Sequence, residues 1–150
     1  KQKIALTKYL VKAAKNLGIE KPKVAVIAAT EQMLAGMPAC VEGAMIAKMG
    51  ERGQIPGCII DGPLSLDLAV SEGAVKIKKV TSQVAGDADC LLFPGIEAAN
   101  VFYKTNTQLI PGVKIAAYVV GAMAPCVLSS RADSMETKLN SIAFAVNNCK

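Results

Sequence analysis

The chain has 150 residues, with 17 Lys and Arg against 12 Asp and Glu and no His at all. That length suits one compact domain with a real core, and the missing His excludes imidazole acid–base catalysis and His-ligated metal within the chain. The net charge of +5 is mild and is not interleaved with aromatics, which argues against a nucleic-acid groove.

Five cysteines, at 40, 58, 90, 126 and 149, show no CxxC or other metal-ligand spacing. An odd, scattered set of thiols fits a reducing compartment, so the expectation is a cytoplasmic protein. Lys and Glu interrupt every apolar run before bilayer-spanning length, and no signal peptide is visible, so no membrane partner is expected. The chain starts without Met, which reads as a processed or truncated product.

In chain order, Leu6, Leu10, Ala13, Ala14 and Leu17 recur at helical spacing, with Lys8, Lys12 and Lys15 on another face and Gly18 as the stop. KVAVIAAT, 23 to 30, reads as a buried strand. ACVEGAMIAKMGERG, 39 to 53, reads as a helix ending at Gly53, and GCIIDG, 57 to 62, as a second strand closing on Asp61. SLDLAVSEGAVKIKK is helical in composition but interrupted by Gly73. DCLLFPG, 89 to 95, is a third strand, IEAANVFYKTNTQLI a helix, KIAAYVVG, 114 to 121, a fourth strand, CVLSS a candidate fifth, and METKLNSIAFAV a closing helix. Strand and helix alternate throughout, so the fold class is α/β: a mostly parallel sheet with helices on both faces. Ligands of such sheets bind beyond the carboxyl ends of the strands, which directs attention to the loops after Asp61, Pro94 and Gly121.

Three constellations could carry chemistry. Asp61 either orients a substrate or makes an Asx turn. Asn100, Tyr103 and Lys104 share one helix face, either as a polar wall for phosphate or as a loop contact beside a solvated lysine. In VLSSRADSMETK, 127 to 138, Asp133 with Glu136 has capping-box spacing. Ser130 and Arg131 would then lie just before a helix N-terminus, where an anion is favoured. Arginine offers a planar donor fork for phosphate oxygens, or else pairs with a surface carboxylate.

KMGERGQIPGCIIDGPLSLDLAVS (48 to 71), QVAGDADCLLFPGIEAANVFYK (83 to 104) and PCVLSSRADSMETK (125 to 138) together resemble the phosphate acetyl/butyryltransferase family, with the motifs in the family's order. DGPL at 61 to 64, after RGQI at 52 to 55, is closer to the butyryl branch; the acetyl branch usually has an acid where Pro63 stands. The resemblance implies reversible transfer of a short acyl group between CoA and inorganic phosphate, with no bound cofactor, CoA serving as substrate, and no metal. It implies catalytic roles for Ser130 and Arg131 and substrate contacts for Asp61, Asn100, Tyr103 and Lys104; among the nearby acids Asp133 is the candidate catalytic base, against its capping role. Two positions depart from the family pattern: Ala99 replaces a Gly before Asn100, and Thr137 stands near the place of the acetyl branch's proposed base.

Family members are longer and have two α/β domains resembling the isocitrate/isopropylmalate dehydrogenase-like fold. This chain matches the later part. Residues 1–122 are expected to form the second domain, and 123–150 a closing strand and helix that return to a first domain. The expected partners are acyl-CoA or CoA, phosphate or acyl-phosphate, and a second copy in a homodimer, with little activity expected from this piece alone. Two other classes compete: a metal- and nicotinamide-dependent dehydrogenase, which needs an aspartate cluster that Asp61, Asp67, Asp87 and Asp89 would have to form, and a non-catalytic CoA- or phosphate-binding or interaction module.

Overall fold

The computed structural model describes residues 1–149. The chain divides into two compact units, one from Lys1 to Ile96 and one from Glu97 onward.

In the first unit, helix α1 (Gln2–Asn16) leads into strand β1 (Lys23–Ile27), helix α2 (Pro38–Glu51), strand β2 (Ile59–Leu64), the short helices α3 (Leu66–Val70) and α4 (Glu72–Lys78), and strand β3 (Cys90–Leu92). The three strands form a parallel sheet in the order β2-β1-β3, with Val24 opposite both Ile60 and Cys90. Period-two alternation splits β1 between two cores. Val24 and Val26 pack with Val11 and Ala14 of α1 and Ile46 of α2. Ala25 and Ile27 pack with Leu68 and Ala69 of α3 and with Val84. Helices therefore cover both faces, as the alternation of elements predicts.

Glycine sets how closely α2 lies on β2. A Cβ at Gly43 would stand 3.0 Å from the Pro63 backbone, and one at Gly50 3.0 Å from the Ile60 side chain. The predicted 65–79 helix is broken as expected, but at Ser71, two residues before Gly73: Ser71 ends α3 in extended backbone and its hydroxyl caps α4 by accepting from Ala74 N–H at 3.3 Å.

The thiols follow this packing. Cys40 and Cys90 are buried, whereas Cys126 and Cys149 are exposed. Burial, with the Asp89 carboxylate adding to it, pushes the Cys90 thiol up to about 11. Alkylation of the folded chain at pH 8, followed by mass spectrometry, should modify Cys126 and Cys149 first and leave Cys40 and Cys90 for the unfolded protein.

The second unit holds helix α5 (Ile96–Leu109), which begins on the last residue of the first unit, and helix α6 (Met135–Asn147). Between them the predicted strands 114–121 and CVLSS do not form. Among the described residues their only pairing is one antiparallel bridge, Val119 with Cys126. β-Branched residues become strands when a neighbour accepts their backbone bonds, and among the described residues this unit has no strand to do so. The segment is tied instead to α6, by Ala117 N–H donating to Ser141 Oγ at 3.0 Å and by the edge-on Tyr118–Phe144 ring pair at 4.9 Å. Met135, Leu139, Ile142 and Val146, spaced along one face of α6, are exposed. No helix among the described residues is long and apolar enough to cross a membrane.

Candidate functional site

The second unit gathers most of the residues singled out by sequence. Ser130 to Asp133 form a tight turn, closed by Asp133 N–H donating to Ser130 C=O at 3.1 Å. One carboxylate oxygen of Asp133, Oδ2, accepts from Ser130 N–H at 2.8 Å and from Tyr103 O–H at 3.0 Å. Ser130 Oγ accepts from Lys104 Nζ at 3.0 Å and from Ala132 N–H at 3.4 Å. Neighbouring positions on α5 thus reach two neighbouring points of the turn, and the Lys104 ammonium also lies 5.2 Å from the Tyr103 ring centre.

A hydroxyl has one donor and two acceptor sites. Both acceptor sites of Ser130 are taken, so its O–H hydrogen is left to donate outward. The Lys104 ammonium spends one of its three donors on Ser130. Arg131, at the tip of the turn, is exposed and forms no hydrogen bond or ion pair among the described residues. The surface pairing that would have given Arg131 a purely structural role is absent there. Hydroxyl, ammonium and guanidinium are each the kind of donor that suits an anion. Burial, and then the hydrogen bond to and the charge of Asp133, push the Tyr103 phenol up. Tyr103 therefore keeps its proton through neutral pH, and the stability drawn from this bond is lost only as pH rises above the ordinary phenol range.

Asn100, one turn before Tyr103 and Lys104, is exposed, and its side chain makes no hydrogen bond among the described residues. A cavity of about 290 Å³ adjoins the turn, lined by Thr107, Gln108, Val113, Ile115, Asp133 and Thr137 among others.

The capping box at Asp133 and Glu136 does not form. Helix α6 begins at Met135 with Ser134 as its cap, whose Oγ accepts from Thr137 N–H at 3.1 Å and whose hydroxyl bonds Thr137 Oγ1 at 3.0 Å. Asp133 is spent on Ser130 and Tyr103, and Glu136 pairs with Lys114 at 3.3 Å. Ser134→Ala should therefore lower unfolding free energy in urea by about 1 kcal/mol, whereas Glu136→Ala should change it by no more than about 0.5 kcal/mol.

Asp61 belongs to the first unit and is not at a strand end. Strand β2 runs on to Leu64, because Gly62 lets it lie close to Val26 and Ala28 N–H extends the pairing to Leu64 C=O at 2.9 Å. The register shifts at this point, between Ala25 and Ile27. Asp61 Oδ1 accepts from Gly62 N–H at 2.8 Å, close to the Asx-turn reading, while the residue stays partly open. It lines a cavity of about 560 Å³ with Lys21, Lys48, Glu51 and Gln83 among others. Those four were invisible to spacing, since only tertiary packing brings them together. Sequence reading also missed Lys78, whose ammonium reaches Asp67 at 2.9 Å, Ser65 at 3.1 Å and Glu31 at 3.8 Å. It ties the loops after β1 and β2. With Asp67 held there, and Asp87 and Asp89 both bonded to Lys23, the four aspartates gather into no shared cluster among the described residues.

A family model described as "Phosphate acetyl/butaryl transferase" matches residues 1–146. A phosphate butyryltransferase of Clostridium acetobutylicum is 52% identical over 145 residues, covering 97% of this chain and 48% of that protein. A phosphate acetyltransferase of Thermotoga maritima is 49% identical over 144 residues, covering 96% of this chain and 49% of that protein. The crystal structure of a branched-chain phosphotransacylase from Enterococcus faecalis superposes with a TM-score of 0.86 at 35% identity, covering 98% of this chain and 52% of that one. The chain thus spans about half the length of the relatives it matches.

Proposed function

The chain belongs to the phosphate acetyl/butyryl transferase family, and we propose that it is the phosphate-binding part of an enzyme that moves a short acyl group between CoA and inorganic phosphate. The observation that carries this reading is the Ser130–Arg131 turn, where an arginine whose guanidinium pairs with nothing among the described residues follows a serine whose hydroxyl acceptor sites are already filled by Lys104 and Ala132. Phosphate, or the phosphoryl end of an acyl-phosphate, takes the three donors of Ser130, Arg131 and Lys104. In one direction the CoA thiolate attacks the acyl-phosphate carbonyl and phosphate leaves with the bonding electrons. In the other, a phosphate oxygen attacks the thioester and the thiolate leaves. The protein's work is to align the two reactants and to stabilise the charge that shifts between them.

Asn100 would complete the α5 wall, Tyr103 and Asp133 stand behind the turn, and Asp61 of the first unit would be a separate substrate contact. The chemistry calls for no metal and no resident cofactor, CoA being a substrate. Residues 1–122 would be the second of two domains in an isocitrate/isopropylmalate dehydrogenase-like fold. Residues 123–150 would return to the first, a reading supported by the exposed apolar face of α6. The working form would be a cytoplasmic homodimer serving fermentative acyl exchange, and the DGPL motif favours butyryl or a similar chain.

The test is release of CoA thiol from butyryl-CoA by the longest natural polypeptide that carries these residues. The expected result is release that depends on added phosphate, with little from the 150-residue chain alone. No release from butyryl-CoA or acetyl-CoA, with CoA still bound, would point instead to a non-catalytic binding module.

A further inference from the structure

Resting on the phosphate-binding reading of the Ser130–Arg131 turn, we propose that Asp133 is a positioning residue and not a proton acceptor: it braces the turn by holding Ser130 N–H and Tyr103 O–H on a single carboxylate oxygen. The geometry carries this. Both donors converge on Oδ2, at 2.8 and 3.0 Å, and Asp133 N–H returns a bond to Ser130 C=O at 3.1 Å. The 130–133 turn is therefore closed on itself and pinned to α5 at Tyr103. Lys104, the next residue on α5, pins the same turn through Ser130 Oγ at 3.0 Å. Two adjacent α5 side chains thus fix where Ser130 and Arg131 point.

The oxygen that holds the turn, Oδ2, already accepts two hydrogen bonds, so a proton placed on it would break at least one of them. The brace needs an acceptor oxygen, not a negative charge. An amide offers the same oxygen in nearly the same shape, with its NH₂ taking the place of Oδ1, which receives no bond among the described residues.

The experiment measures kcat and KM for phosphate, in the direction of acyl-phosphate formation, on Asp133→Asn, Asp133→Ala, Tyr103→Phe and Arg131→Ala in the longest natural polypeptide. For Asp133→Asn, kcat should stay within about threefold of the parent, because the oxygen acceptor survives. Asp133→Ala should raise KM for phosphate about tenfold with a smaller change in kcat, as expected when ground-state and transition-state binding are lost together. Tyr103→Phe should raise KM for phosphate as well, and combining it with Asp133→Ala should add little, since both act through one turn. A fall in kcat of about a hundredfold or more for Asp133→Asn, with KM unchanged, is the signature of a lost proton acceptor and would overturn the proposal. So would Asp133→Ala and Tyr103→Phe that both leave KM and kcat at parent values. Arg131→Ala separates the two levels. If it leaves phosphate KM and kcat untouched, the phosphate-binding reading fails and the brace has nothing to position. If it weakens phosphate use while Asp133→Asn collapses kcat, only the brace fails.

Discussion

Replacing Arg131 by alanine should cut kcat/KM for phosphate by about ten- to a hundredfold, the loss of one charge-assisted donor pair worth about 1.5–3 kcal/mol. The fold should be untouched, because the guanidinium is exposed and bonds to nothing among the described residues. The side chain has no structural work to lose, so a kinetic effect there reports on ligand alone. Arg131→Lys should recover only part of the loss, since it restores the charge but not the planar two-point fork. Equal rates in parent, Arg131→Lys and Arg131→Ala would remove the guanidinium from the reaction. Measuring KM for phosphate and KM for butyryl-CoA separately shows which substrate it holds; KM for phosphate should move and KM for the thioester should not.

The second large effect is on stability. Gly62 lies where β2 changes register against β1, and a Cβ there would stand 2.7 Å from the Val26 Cβ and 2.9 Å from the Val26 carbonyl oxygen. Neither atom can turn away as a side-chain tip would. Gly62→Ala must push β2 off the central strand, opening contacts on both faces of the sheet, since Val26 and Leu64 belong to opposite cores. Overpacking of this kind costs about 1–3 kcal/mol or more, a large share of the roughly 5–15 kcal/mol that holds a domain together. Gly36→Ala is the control. Nothing lies within 4 Å of the place its methyl group would take, so the change should stay within about 0.5 kcal/mol. Urea unfolding of the two variants against the parent decides it. A Gly62→Ala midpoint equal to that of Gly36→Ala would mean that β2 does not lie as close to Val26 as these distances require.

What sequence could reveal followed the range of the interaction. Strand β1 was legible because VAVI is short, apolar, rich in β-branched residues and buried on both sides, and α2, α5 and α6 because their apolar spacing is local. Residues 114–121 have equal β-character, yet they form only the bridge at Val119 among the described residues, because pairing needs a neighbour that local sequence does not specify. Asp61 was misplaced by one short step: Gly and Pro after it look like a turn, but Gly62 serves close packing and the strand continues through Pro63. At the turn, the types and order of Ser130, Arg131, Tyr103 and Lys104 were readable, whereas the crossed pairing, Tyr103 to Asp133 and Lys104 to Ser130, joins residues 30 and 26 positions apart. The cap was read one residue early because Asp133 had the right spacing to Glu136, and only the tertiary bond to Tyr103 shows that its carboxylate is committed elsewhere.

The measurement that bears most directly on the central claim is phosphorus NMR of a reaction holding butyryl-CoA, inorganic phosphate and the longest natural polypeptide carrying these residues, with free thiol followed in parallel. Acyl transfer to phosphate predicts an acyl-phosphate resonance that grows as the phosphate signal falls, one for each thiol released. Thiol release without acyl-phosphate would mean that water, not phosphate, accepts the acyl group, and would contradict the role given to Ser130, Arg131 and Lys104.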